Sequence, residues 1–214
     1  MLIRNLEAHN SIANQFLSEL RSTTIQNDRL RFRLNLSRLG EIMAYEISKE
    51  LNYKTTEIIT SLGKKVTQTP SSEVVLITML RAGLPFLEGF QRIFDNADTG
   101  FIGSYRVEGN SEIKISSDYY AAPPLTGKTV ILLDPMLATG QSGVNALQAL
   151  ARRGQPKQIH FACVIAAPEG VDYLKKNIQQ PASLWTFSID EKLNSNFYIV
   201  PGLGDAGDLS FGQK

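Results

Sequence analysis

The chain has 214 residues, 43% hydrophobic and 20% charged, a globular balance sufficient for one large domain or a domain with a small appendage. Twenty-two basic against 21 acidic side chains leave a net charge of +1, which excludes an overall field drawing the protein to nucleic acid or an anionic membrane. The longest apolar runs, such as VVLITML at 74–80, are too short to span a bilayer, and the polar start MLIRNLEAHNSIANQ lacks a signal core.

A single cysteine, Cys163, cannot form an internal disulfide, which suits a cytoplasmic setting; its surroundings, IHFACVIAA, mark it as a buried structural thiol. With only His9 and His160, and no His/Cys pair at ligand spacing, a zinc site is not expected.

In chain order, 10–22 and 28–51 read as helices. In the second, Leu30, Leu34, Leu39, Ile42, Met43 and Ile47 fall near one face, with Asn27 or Asp28 as cap. These segments precede the rest of the pattern, so residues 1 to about 35 are expected as a helical arm on a single domain spanning 1–214. After a polar stretch ending near Pro70, EVVLITML reads as a buried strand and AGLPFLEGFQRIF as a helix. GFIGSYRVE and EIKISSDYY form a β-hairpin about EGNSE. KTVILLD, KQIHFACVIAA and SLWTFSID are three more strands, separated by helices at 141–153 and over PEGVDYLKKN. Buried strands alternating with helices predict an α/β fold with a mainly parallel sheet. The tail, NFYIVPGLGDAGDLSFGQK, is too rich in glycine for regular helix or strand.

LLDPMLATGQSG at 132–143 carries the clearest chemistry. An acid, Asp134, ends an apolar strand, and Thr139, Gly140, Gln141 and Ser142 then stand where a helix begins. Amides and hydroxyls at such a start, helped by the helix dipole, suit an anion. The same residues also read as an ordinary strand–helix connection with Asp and Pro in the turn. No lysine lies between Lys128 and Lys157, so this is not a Walker A loop, and the dinucleotide glycine fingerprint is missing.

VILLDPMLATGQSG resembles the ribose-5-phosphate motif of the uracil phosphoribosyltransferase family. MLRAGL at 79–84, VIAAPEG at 164–170 and YIVPGLGDAGD at 198–208 resemble further segments of that family, in its order. The resemblance spans about residue 74 to the C-terminus and implies a type I phosphoribosyltransferase-like fold. It implies a pyrimidine-salvage reaction in which uracil and phosphoribosyl diphosphate (PRPP) give UMP and diphosphate. PRPP would be bound by Arg81, Arg106, the loop Asp134, Pro135, Met136, Leu137, Ala138, Thr139, Gly140, Gln141 and Ser142, and Asp205. Uracil would meet Ile199, Gly204, Asp205 and Ala206. Arg81 and Asp205 are the expected catalytic groups, Asp208 a turn residue. Magnesium would arrive on the diphosphate, since Asp134–Pro135 stands where many related enzymes carry two acids. The family also implies a homodimer or higher homo-oligomer and, in some relatives, activation by GTP.

Three departures stand out: Gln141 in place of a glycine, Leu209–Ser210 in place of a basic-plus-aliphatic pair, and LPFLEGF in the helix after Arg81. Should position 141 need a positive φ, glutamine there costs about 1 kcal/mol. The alternative to an enzyme is a regulator on the same fold that senses PRPP or a uridine nucleotide. An RNA-binding version needs a basic face that this near-neutral chain does not offer.

Overall fold

The computed structural model describes residues 1–107 and 114–213, and within it the side chains of 104–107 and 114–118 are left undescribed. The EGNSE turn therefore lies outside the described residues. The chain begins with strand β1 (Leu2–Asn5), helix α1 (Ile12–Arg21) and helix α2 (Arg29–Ser48). Ser11 and Asp28 cap these helices by accepting the amides of Ala13 and Arg31. A hairpin of β2 (Tyr53–Thr60) and β3 (Gly63–Pro70) precedes β4 (Val74–Leu80), α3 (Gly83–Ile93), β5 (Asp98–Val107) and β6 (Lys114–Ala121). Then come β7 (Thr129–Leu133), β8 (Met136–Leu137), α4 (Gln141–Leu150), β9 (Gln158–Ala166), α5 (Pro168–Asn177) and β10 (Ala182–Ile189). The tail adds β11 (Lys192–Leu193), β12 (Ile199–Val200) and α6 (Ala206–Phe211).

The central sheet runs β1-β10-β9-β7-β4-β5-β6, parallel throughout except for β6, with β8 paired to the end of β9. Its inner strands β4, β7 and β9 are largely apolar because both faces are covered. Leu76, Ile131, Leu133, Ala162 and Val164 face α1, α2 and α3 through Leu17, Leu20, Leu36, Met43 and Phe86. Val75, Ile77, Val130, Leu132 and Phe161 face the other way, toward Val144 and Leu150 of α4 and Val171 and Leu174 of α5. Helices α2 and α3 touch backbone to backbone: a methyl on Gly89 would lie 2.7 Å from the Glu41 nitrogen.

Several expectations change in detail. Residues 2–5 form a sheet strand beside β10, so the N-terminal segment is more than helical. The buried stripe of α2 is Phe32, Leu36, Leu39, Met43 and Ile47; Leu30 and Leu34 lie on the outside, 60% and 37% exposed. The run LRFRLNL places apolar residues at every second position, so two faces compete and only packing chooses between them. The hairpin β2–β3 sits in a stretch read only as polar, because neither of its faces meets the core and no alternation marks it. The helix expected over 141–153 ends at Leu150, and 151–153 form a 3-10 turn. The tail is not irregular throughout: Ile199–Val200 pairs as a strand and Ala206–Phe211 is a helix. Among the described residues, no helix is long and apolar enough to cross a membrane.

Candidate functional site

In chain order the sheet grows outward from β4 to β5 and β6, then returns to the other side of β4 with β7. The carboxyl ends of adjacent strands β4 and β7 therefore form a topological switch point, where open α/β sheets gather ligands. Arg81 leaves the first strand and Asp134 the second. A β-carbon on Gly83, two residues beyond Arg81, would lie 3.2 Å from the Leu133 carbonyl oxygen, so the two exits are side by side.

The loop after Asp134 is held by its first half. The Pro135 carbonyl accepts the amides of Val164 and Ile165 at 2.8 and 3.1 Å, and the Leu137 carbonyl accepts that of Ala167 at 2.9 Å. Asp134 Oδ1 accepts the Met136 amide at 3.3 Å. Met136 and Ala138 pack against the same apolar cluster as Ile199, Leu203 and Ala206. Gly140 then takes φ +78° and opens α4, with Thr139 Oγ1 accepting the Gln141 amide at 3.4 Å. Gln141 is the first helical residue and has no positive φ, so the cost considered for a glutamine there does not arise; glycine is required one residue earlier. The opening amides of α4, which a helix cannot pair internally, point out of its first turn beside Thr139 and Ser142. The start of α5 presses on this loop: a β-carbon on Gly140 would lie 2.7 Å from the Gly170 carbonyl oxygen, and one on Gly170 would lie 3.0 Å from that of Leu137. VIAAPEG is thus a packing partner of the loop.

Arg81 reaches the tail. Its Nη2 donates to Asp208 Oδ1 at 3.0 Å and to the Gly212 carbonyl at 3.3 Å, while its Nε is buried without a hydrogen-bond partner. Asp205 caps α6 by accepting the Asp208 amide at 3.0 Å. Asp205 is thus the capping acid and Asp208 the ion-pair partner, which corrects the turn role expected for Asp208. Asp205 and Asp208, with Gly204, Gln26, Asn27 and Arg29, line a cleft of about 570 Å³. Another cleft, about 540 Å³ and bordered by Glu73, Asp98 and Lys128, lies at the amino ends of β4, β5 and β7, away from the switch point. The Arg106 side chain lies outside the described residues. Among the described residues, no group of three or more His, Cys, Asp or Glu could hold a metal ion.

Sequence reading missed Asp190 and Arg21. Asp190 ends β10 as Asp134 ends β7, an acid closing an apolar run, and that parallel was the available signal. Its partner, Arg21, lies 169 residues away, and no local pattern announces it. Cys163 is buried as expected, with burial pushing its thiol up to about 12.

The family model for uracil phosphoribosyltransferase matches residues 7–213, reaching well into the N-terminal third. A uracil phosphoribosyltransferase of Porphyromonas gingivalis is 45% identical over 215 residues, covering all of both chains. One from Methanothermobacter thermautotrophicus is 36% identical over 215 residues, covering all of this chain and 96% of its own. A solved structure from Aquifex aeolicus superposes with a TM-score of 0.87 at 33% identity, over 99% of this chain and 98% of the other.

Proposed function

The chain belongs to the uracil phosphoribosyltransferase family, and on that premise we propose that it joins uracil to PRPP, releasing UMP and diphosphate. The observation that carries this reading is the meeting, at one switch point, of an anion cradle after β7 and an arginine after β4 that is tied to the glycine-rich tail.

The 5-phosphate of PRPP sits on the amides and hydroxyls of 139–142, where the helix dipole favours negative charge. Pro135 and Leu137 hold the loop to β9 through their carbonyls, and Met136 and Ala138 anchor it in the core. Asp134 accepts the ribose hydroxyls. Arg81, with a buried N–H that has no protein partner, supplies fixed donors to the diphosphate, and Arg106 is its second cation. Both offset charge that grows on the leaving group. Uracil lies along Ile199 and Gly204–Asp205–Ala206, where backbone donors and an acceptor match its two carbonyls and N–H. Cytosine, with an amine in place of one carbonyl, sets donor against donor.

No side chain is needed as nucleophile. Substitution at the anomeric carbon passes through a loose cationic transition state, so positioning and charge stabilisation carry the rate. Asp205, at the sugar end of the base site, is the acid assigned to take a proton or face the developing cation. Magnesium, when bound, would neutralise diphosphate charge and would be held mainly by phosphates and water, which suits Asp134 being followed by Pro135 and not by a second acid.

The test is direct. Purified protein with uracil, PRPP and magnesium should yield UMP, and orotate, cytosine or adenine should not replace uracil. A folded protein that binds PRPP yet forms no UMP would instead support the sensing regulator. Repeating the assay with GTP reads its effect on rate.

We also propose that the protein works in the cytoplasm as a homo-oligomer, at least a dimer. An isolated two-stranded hairpin is marginal in water. Here β2–β3 exposes Ile59 and Leu62 at 80% and 98%, and α2 exposes Leu30 and Leu34. Two uncovered apolar surfaces on one chain suit a second copy as the cover.

A further inference from the structure

Among the described residues, four side chains from outside the tail donate to its carbonyls. Arg21 Nη1 donates to the Gly202 carbonyl at 2.9 Å, Arg33 to that of Ser210 at 2.7 Å and Arg81 to that of Gly212 at 3.3 Å. Gln26, with its amide turned to satisfy both of its atoms, donates to the Leu203 carbonyl at 2.9 Å. Three of the four, at positions 21, 26 and 33, belong to the N-terminal helices and the turn between them. None of the four reaches 204–206, the part proposed to read the base, where the Asp205 carbonyl accepts the Leu209 amide at 2.9 Å.

The tightest of these ties is a buried knot. Arg21 grips Asp190 with both terminal nitrogens, at 2.7 and 2.6 Å. Asp190 Oδ2 accepts the Gly202 amide at 2.8 Å and Oδ1 accepts the Ser188 hydroxyl at 3.0 Å. Asp190 is 8% exposed, and Gly202 takes φ +65° between Ile199 and Gly204. Burial raises the Asp190 carboxyl, but the bonds from Arg21 and Gly202 outweigh it and leave the group below its ordinary value. The two peptide groups that flank the Gly202 α-carbon are thus both fixed by one charge pair, through the Gly202 N–H and C=O, and the neighbouring residues inherit that orientation.

We propose that Arg21 and Asp190 are positioning residues for the nucleobase: the end of α1 sets the backbone that recognises uracil. This rests on the base site assigned above. Arg21→Ala should raise the uracil KM at least tenfold, while kcat at saturating uracil and the PRPP dissociation constant change less than threefold. Arg21→Lys, keeping the charge but not the two-pronged grip, should fall between. Asp190→Asn combined with Arg21→Ala should add little to either single change. Thermal melting of each variant, and PRPP binding by calorimetry, separate misfolding from a displaced loop. If Arg21→Ala stays folded with an unchanged uracil KM, or loses PRPP and uracil affinity equally, the positioning role is wrong. If the unaltered protein binds PRPP but neither binds nor turns over uracil, the base-site assignment fails instead.

Discussion

Arg81 and Asp208 meet at 3.0 Å, tying the end of β4 to the first turn of α6 across 127 residues of sequence. The two side chains are 37% and 36% exposed, so the pair contributes less than about 1 kcal/mol to stability. Removing the guanidinium should therefore cost binding more than folding. Arg81→Ala is expected to raise the PRPP KM by about tenfold or more, the loss of one charge-assisted contact, with Arg81→Lys recovering part of it. Steady-state kinetics at saturating uracil, with a melting curve alongside, make the comparison.

Gly140 takes a left-handed conformation against the Gly170 carbonyl. Gly140→Ala pays for both the positive φ and the crowding, together about 2 kcal/mol of stability. It should also weaken PRPP binding, because relief requires α5 or the loop to move. Urea midpoints and PRPP titration should fall together; a variant that matches the parent in both would show that the close approach is slack.

Asp205 both caps α6 and carries a charge. Asparagine caps as well as aspartate does, whereas alanine loses about 1 kcal/mol. Asp205→Asn should melt with the parent but turn over at least tenfold more slowly, and Asp205→Ala should be less stable as well as slow. Full activity in Asp205→Asn would remove the charge from the mechanism.

His160 and Glu19 illustrate the response to acid. Burial lowers His160 to about 4, while the unfolded histidine titrates near 6.5. Between those values only the unfolded chain takes up the proton, so stability should decline as pH falls from about 6.5 to 4, by about 3 kcal/mol. Glu19 behaves as a depressed carboxylate. Bonds from Arg31, Asn35 and Gln15 hold it far below the carboxylate range, so its contribution is complete above about pH 4.5 and fades as pH drops further. Urea melts from pH 8 to 3 should show both phases, with His160→Gln erasing the first and Glu19→Gln weakening the second, to which Asp190 also contributes.

The exposed hairpin makes its own prediction. Ile59→Asp with Leu62→Asp should shift the molecular mass by light scattering from an oligomer toward a monomer. Both residues are exposed within the chain, so the monomer's own core loses nothing. An unchanged mass would place the self-association surface elsewhere.

What could be read from the sequence followed how far each signal reaches. VVLIT, TVILL and IHFACVIA declare buried parallel strands because both faces need apolar cover, and Asp134 followed by small residues declares a helix start fit for an anion. Asp205 and Gly204 were legible through resemblance, in a segment whose short helix was not. The β2–β3 hairpin left no trace, since a strand that touches no core needs no pattern. Leu30 and Leu34 misled because alternate leucines in a helix offer two faces of similar apolarity.

The sequence by itself determined the alternation of strands and helices, the acid and small residues of the anion loop, and the family. Those are properties of neighbours along the chain, enforced by backbone sterics and local burial. Only the tertiary structure decided that Asp208 meets Arg81 and that Asp190 meets Arg21, and that glycine is required at 140 and not at 141. Such pairings depend on which strand ends the crossovers bring side by side, and a charge carries no mark of its partner until the fold sets the two within reach.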